Sequence, residues 1–256
     1  MISERAQITL NRQIGRDIWQ LRLQAPQIAA AACAGQFVML QCGTGLDPFL
    51  KRPLGINQIC APHGVITCVY RVVGRGTGLL SDLAVGSEIT VLGPCGQPWP
   101  QPKEAKAVII GGGMGIAPLL PLAEDLAARG NTEIYLGANT SDELFALVDF
   151  AKCGSLRVAT LDGTAGVKGF VTDLLPADLS GMEIFSCGPM PMMKAVAALA
   201  AQQNITCWLS LEEHMGCGIG TCMGCVRPIK ENDQIFYKRV CREGPVFNAL
   251  EVVFDA

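Results

Sequence analysis

Several things are scarce in this 256-residue chain, and each scarcity removes a class of function. There is no run of lysine and arginine and no basic stripe: 20 basic residues face 23 acidic ones, for a net charge of −3. That balance argues against a nucleic-acid partner. No apolar stretch is long and unbroken enough for a membrane span. The uncharged apolar run at residues 107–123 is interrupted by Gly111, Gly112, Gly113, Gly115, Pro118 and Pro121. The first ten residues lack a signal peptide's apolar core. The 12 cysteines therefore point to a reducing, cytoplasmic setting, with free or metal-holding thiols in place of a disulfide framework. No Ser/His/Asp arrangement, internal repeat or low-complexity tract stands out. His63, beside Gly64, reads as a turn residue.

The most informative residues present are Cys217, Cys222, Cys225 and Cys241. They follow the spacing Cys-x4-Cys-x2-Cys, then fifteen residues, then Cys. That is the plant-type [2Fe–2S] spacing, in which one short loop brings three soft anionic sulfurs to the irons. Gly216, Gly218, Gly220 and Gly224 suit a chain that wraps closely and needs positive φ. Zinc is the competing ligand. Zinc sites usually pair two Cys-x2-Cys hooks, and only one hook exists here. Four free thiols is the third possibility.

The rest of the chain reads as two further units. Short segments rich in β-branched and other apolar residues (6–10, 18–23, 37–41, 65–73 and 88–92) alternate with turns and predict a small antiparallel barrel over residues 1–100. The proline-dense stretch 93–102 is the best linker. Strands are then expected at 107–110, 133–136, 156–161 and 183–186, and helices at 119–129, 144–150, 171–175 and 190–203. That alternation predicts a doubly wound parallel sheet over 101–210. The cysteine segment, 211–256, forms a third part. The fold class is thus β plus α/β, with a C-terminal cluster subdomain.

Glycines 111, 112, 113 and 115 lie between a strand and a helix. Backbone N–H groups and a helix N-terminus there suit a pyrophosphate, although a plain βα turn reads the same way. Residues 186–192 form a second such junction. Cys187 sits where a nicotinamide ring would lie, or else packs as a small apolar group. Arg52 is either a phosphate fork or a surface arginine. The turn after Tyr70, with Thr77 between Gly76 and Gly78, is either an anion nest or a hairpin. His214 either tunes a cluster or is solvated, and Glu212 with Glu213 reads as a solvated acidic pair more readily than as a catalytic one.

In this order, the motifs resemble the ferredoxin–NADP reductase superfamily. More narrowly, they resemble the electron-transfer subunits of two-component (type B) dihydroorotate dehydrogenases, over essentially the whole chain. The resemblance implies that the barrel binds FAD, lined by Arg52, Pro53, Leu54 and Gly55, flanked by Val69, Tyr70 and Arg71, with Gly76 and Thr77 at the pyrophosphate. It implies that Gly112, Gly113, Gly115, Cys187, Gly188 and Pro189 border NAD(H), with Cys187 at the reacting end, and that the four cysteines ligate [2Fe–2S]. It also implies a partner, an FMN-containing dihydroorotate dehydrogenase catalytic subunit, in a heterotetramer serving pyrimidine biosynthesis. Two departures stand out. The superfamily's Arg-x-Tyr-Ser/Thr has Leu54 for the aromatic and Gly55 for the hydroxyl. Asp142 and Glu143 stand where NADP users often carry basic residues, which predicts NADH over NADPH. The exposed rim around Met215, Ile219 and Met223 is either a docking face or cluster shielding. Two rival readings remain: a related NADH-dependent reductase subunit serving ferredoxin, a hydrogenase or a sulfur-reducing partner, and a zinc-stabilised nucleotide-binding module.

Overall fold

A computed structural model describes residues 1–43, 45 and 47–254. The first unit is a closed, all-antiparallel barrel. Its strands are β1 (Ile2–Gly15), β2 (Ile18–Gln24), β3 (Phe37–Leu40), β4 (Arg52–Cys60), β5 (Val65–Arg71) and β6 (Glu88–Cys95), in the order β1-β2-β5-β4-β3-β6. Two short helices, α1 (Pro26–Ala31) and α2 (Arg75–Ser81), complete it. Along β1, Glu4, Ala6 and Ile8 turn inward on a period of two. Glu4 is inward because it has work to do at the barrel end. Its carboxylate accepts the N–H groups of Gln27 (3.3 Å) and Ile28 (3.1 Å), at the start of a helix that has no side-chain cap of its own.

Two elements here differ from the sequence expectation. Pro53 and Gly55 disguise β4, since both residues demote a strand; pairing with Phe37 through Leu40 of β3 overrides their propensity. The glycine turn after Gly74 becomes α2. The Thr77 hydroxyl accepts the N–H groups of Val73 (3.0 Å) and Gly74 (3.3 Å), which folds the chain into a helical turn.

The second unit is a sheet of seven strands: β7 (Lys106–Gly112), β8 (Thr132–Ala138), β9 (Ser155–Thr160), β10 (Val167–Lys168), β11 (Met182–Cys187), β12 (Cys207–Ser210) and β15 (Val246–Asn248). The spatial order is β10-β9-β8-β7-β11-β12-β15, parallel except for the last strand. Strand β7 is buried along nearly its whole length, as a parallel strand covered on both faces must be. Helices α3 (Leu120–Ala127), α4 (Leu147–Cys153) and α5 (Met190–Gln202) connect the strands. Glycines 113 and 115 and Pro118 delay α3, so residues 113–119 form 3₁₀ turns first. The helix expected at 171–175 is a single 3₁₀ turn.

The chain leaves β7 in one direction to build β8 to β10, and returns on its other side as β11. The reversal places the carboxyl ends of β7 and β11 side by side, the position where open α/β sheets bind ligands. Glu183 fastens the proline linker to this sheet. Its buried carboxylate accepts Lys103 N–H (2.6 Å), Glu104 N–H (3.3 Å) and Trp208 Nε1–H (2.8 Å).

The C-terminal segment forms a hairpin, β13 (Val226–Glu231) and β14 (Gln234–Arg239), turning at Asn232 and Asp233, both with positive φ. That is the signature of a tight primed turn. The chain then re-enters the large sheet as β15, antiparallel to β12. The cysteine-bearing segment is thereby stitched to the parallel sheet.

Candidate functional site

A cavity of about 380 Å³ opens where barrel, sheet and C-terminal segment meet. Arg52, Pro53, Leu54 and Gly55 of β4, and Val69, Tyr70 and Arg71 of β5, line it together with Thr77. Gly76 lies just outside; a Cβ there would stand 2.6 Å from Arg52 Cζ, so glycine lets the guanidinium lie flat against the α2 turn. Among the described residues, two buried polar atoms along this wall lack hydrogen-bond partners, Tyr70 Oη and Arg71 Nε. Unpaired buried donors are costly, and a polar ligand in the cavity satisfies such groups. A flavin fits this donor set.

Gly55, where the superfamily carries a hydroxyl, has a packing reason. A Cβ on it would sit 3.2 Å from Pro118 Cβ in the facing domain. Nearby, buried Asn57 donates its Nδ2–H to Ala117 O (2.9 Å), tying barrel to sheet. Sequence reasoning did not place the far wall: Met114, Ala117 and Pro118 come from the first glycine turn, and Ser210, which ends β12, leads into Leu211 to Met215, of which 212 to 215 were noted only for other roles. It read Glu212 with Glu213 as a solvated acidic pair; both line this wall, and they differ in their partners. Glu213 forms an ion pair with Arg227. Glu212 lines the cavity, where partial withdrawal from water raises its pKa. His214 is exposed at the same wall.

A second cavity, about 490 Å³, lies over the carboxyl ends of the parallel strands. Gly112, Gly113 and Pro189 line it, with Asn139, Glu143 and Phe170 opposite. Gly115 and Gly188 stand behind this wall, where the two βα turns touch. A Cβ on Gly115 would fall 2.5 Å from backbone atoms of Cys187 and Gly188, and one on Gly112 would fall 3.0 Å from Pro189 Cδ. These glycines therefore set how closely the two turns approach. Cys187 ends β11, is 1% exposed and lines neither cavity. Burial, with Glu212 nearby, pushes its thiol pKa far up against the opposing hydrogen bond from Ser210.

Glu143 is less free than its sequence position suggested. Its carboxylate accepts Asn139 N–H (3.1 Å) and Nδ2–H (2.9 Å) and pairs with Arg71 across the domains at 3.0 Å. Burial alone would raise its pKa, but Asn139 and Arg71 outweigh that and hold it below the ordinary value.

The four cysteines gather in two pairs. Cys217 and Cys222 exchange N–H···S contacts (3.5 and 3.4 Å), and Cys241 N–H points at Cys225 Sγ (3.5 Å). Further N–H groups converge on the sulfurs: Ile219 (3.5 Å) and Thr221 (3.3 Å) on Cys217, and Gly220 (3.1 Å) on Cys241. Burial opposes ionisation of Cys217, but these backbone donors prevail and bring its pKa to about 6. Among the described residues no group of three or more His, Cys, Asp or Glu closes on a single-ion position. Two cysteine pairs supply four soft ligands, the number a [2Fe–2S] cluster takes, two to each iron. Only Gly218 and Gly220 of the four loop glycines take positive φ, +67° and +83°. Gly216 and Gly224 instead lie close to Cys222 Sγ, which a Cβ on each would approach to 3.3 and 3.5 Å.

Residues 212–253 match the family model for the iron–sulfur cluster binding domain of dihydroorotate dehydrogenase B. Over 254 residues the chain is 37% identical to an electron transfer subunit of dihydroorotate dehydrogenase B (NAD(+)) from Fusobacterium nucleatum, covering 96% of each chain. The chain belongs to this family of electron transfer subunits. A relative from Geobacillus thermodenitrificans is 39% identical over 255 residues, covering 98% of each. Among solved structures, a chain of an NADH-dependent reduced ferredoxin-NADP oxidoreductase superposes with a TM-score of 0.84 at 31% identity, covering 98% of this chain and 90% of that one. A ferredoxin reductase of carbazole 1,9a-dioxygenase shares the fold at 21% identity and a TM-score of 0.68, covering 80% of this chain and 66% of that one. Membership accounts for barrel, parallel sheet and cysteine segment in one chain. Among the described residues, no helix is long and apolar enough to cross a membrane.

Proposed function

We infer that this chain relays electrons among NAD(H), FAD and a [2Fe–2S] cluster, exchanging them with an FMN-containing dihydroorotate dehydrogenase catalytic subunit in pyrimidine biosynthesis. When bound, the flavin supplies the change from two-electron to one-electron transfer, and the cluster supplies the one-electron step. The protein supplies position. FAD occupies the cavity walled by β4 and β5, with Arg52 and the Gly76–Thr77 turn at its phosphates. NAD(H) occupies the cavity over Gly112, Gly113 and Pro189, and Cys217, Cys222, Cys225 and Cys241 hold the cluster. NADH is the preferred dinucleotide. Asp142 is a carboxylate that repels a 2′-phosphate; Glu143 is paired with Arg71 in the nucleotide-free protein.

The observation that carries this reading is contiguity. Met215 lines the first cavity, and Cys217 follows two residues later, no more than about 7 Å of chain away. On the other side, Met39 pairs with cavity-lining Pro53 in the barrel, and its side chain touches the position of Gly218 in the cysteine loop. The two redox sites therefore share a wall.

The catalytic subunit docks over the cluster rim. Ile219 and Met223 are exposed there, whereas Met215 faces the flavin cavity. Ile235 and Tyr237, on one face of β14, are exposed apolar side chains of the hairpin, with Phe236 exposed on the other face. The assembly is a heterotetramer, and the free thiols suit a reducing cytoplasm. A second reading, a subunit serving ferredoxin, draws on the likeness to the NADH-dependent ferredoxin-NADP oxidoreductase chain.

An absorption spectrum with iron, sulfide and flavin analysis tests the cofactors. Anaerobic protein is expected brown-yellow, with two irons and two sulfides per FAD, and bleached by NADH; zinc or no sulfide would overturn the relay. Mixing with a dihydroorotate dehydrogenase catalytic subunit, and separately with ferredoxin, decides between partners. Met223→Asp and Tyr237→Asp are expected to slow partner reduction and to leave reduction of a small artificial acceptor unchanged.

A further inference from the structure

The two cavities meet at one ion pair. Arg71 ends strand β5 of the barrel and lines the first cavity; Glu143 follows β8 of the parallel sheet and lines the second. Arg71 Nη2 and Glu143 Oε1 lie 3.0 Å apart. A dinucleotide that occupies the second cavity and presents its ring in the first passes this pair.

The pair is built asymmetrically. Glu143 is held from its own domain, since Asn139 donates both its backbone N–H and its Nδ2–H to Oε2. Oε1 is left facing the barrel. Arg71 is held less completely: its Nε is buried with no hydrogen-bond partner among the described residues, while a terminal nitrogen reaches Glu143. A guanidinium is a planar fork whose adjacent N–H groups match two oxygens of one phosphate. The carboxylate satisfies only part of that fork, and it places a negative charge beside the path of two phosphate groups.

We propose that Glu143 is a placeholder anion: it holds Arg71 in the nucleotide-free protein and gives it up to a phosphate of the incoming dinucleotide. Arg71 turns from Oε1 to the phosphate, and the carboxylate stays on Asn139. Glu143 is thus a positioning residue that keeps Arg71 at the cavity junction. It also lowers affinity by the free energy needed to break the pair. This rests on the second cavity being the NAD(H) site.

The test titrates oxidised holoprotein, carrying FAD and cluster, with NAD+ and separately with adenosine, which has no phosphate. Glu143→Gln keeps the side chain's size and removes its charge. NAD+ is expected to bind about threefold to tenfold more tightly, the range between releasing an exposed ion pair and a buried charged hydrogen bond. Adenosine affinity is expected to stay unchanged. In steady state the KM for NADH falls, with kcat unchanged or lower. Simple removal of repulsion would also tighten NAD+, so the same substitution is made in an Arg71→Gln background. There the exchange mechanism expects no gain. An equal gain in that background, or unchanged or weaker NAD+ binding by Glu143→Gln in the Arg71 protein, would overturn the placeholder role. Wild-type protein that binds neither NAD+ nor adenosine would instead remove the assignment of the cavity itself.

Discussion

Gly218 is the position at which a single methyl group should separate the cluster from the fold. Its φ is +67°, a region that costs an L-residue with a side chain about 1–2 kcal/mol. A Cβ there would also stand 2.6 Å from Met39 Cγ and 2.7 Å from Met39 Cε. Met39 is fully buried in the barrel, so it has little room to retreat, and overpacking of this kind costs about 1–3 kcal/mol. Gly218→Ala is therefore expected to cost about 2–5 kcal/mol, the sum of the strain and clash terms. For a chain of this size that lowers the thermal midpoint by roughly 4–20 °C. The cost falls on the loop holding Cys217 and Cys222, so iron and sulfide per FAD should drop before the barrel or sheet unfolds. Gly224→Ala is the control. Its added methyl would meet only Cys222 Sγ, at an ordinary 3.5 Å, with no positive φ. Met39→Ala separates the two terms. In that background Gly218→Ala should lose the clash and keep only the strain of about 1–2 kcal/mol. Iron and sulfide content and the melting curve of each variant, measured anaerobically, provide the check. Wild-type cluster content and stability in Gly218→Ala would refute the argument. So would an equal penalty with and without the Met39 side chain.

Other consequences are narrower. Gly76→Ala drives a methyl group against the Arg52 guanidinium, 2.6 Å from Cζ; it should weaken FAD retention about tenfold while the apoprotein unfolds normally in urea, as a lost charged hydrogen bond implies. Glu183→Ala strands the donors of Lys103, Glu104 and Trp208 and should cost about 3 kcal/mol in urea unfolding; a loss under about 1 kcal/mol would show that the linker anchor is unimportant. Because Asn139 and Arg71 together hold Glu143 below its ordinary value of 4.5, their contacts with its carboxylate contribute fully above pH 4.5 and are lost as the pH falls through the depressed folded value. Wild type and Glu143→Gln should accordingly converge in thermal stability only below about pH 4.5, and convergence nearer neutrality would contradict the pairing.

Much of the architecture was legible because its signals are local. The cysteine spacing lies within one loop plus one residue, and the strand–helix alternation after residue 106 is written in hydrophobic runs of one element each. Where local chemistry and tertiary pairing disagreed, pairing prevailed. Pro53 and Gly55 argue against a strand, yet β3 recruits them as β4. The C-terminal residues 246–248 carry little strand signal, yet they extend the parallel sheet through β12. Glu212 and Glu213 are adjacent in sequence and both reach the first cavity, but only Glu213 is tied into an ion pair there, with Arg227.

The sequence alone determined the order of barrel, parallel sheet and cysteine loop, and the plant-type spacing of four cysteines, because cysteine spacing and hydrophobic period act over a few residues at a time. Only the tertiary structure decided which side chains share a wall. The Arg71–Glu143 pair, the contact of Met39 with the Gly218 position and the packing of Gly55 on Pro118 join residues tens to hundreds of positions apart. Such contacts form when whole elements pack, and no window along the chain encodes where two packed faces will meet.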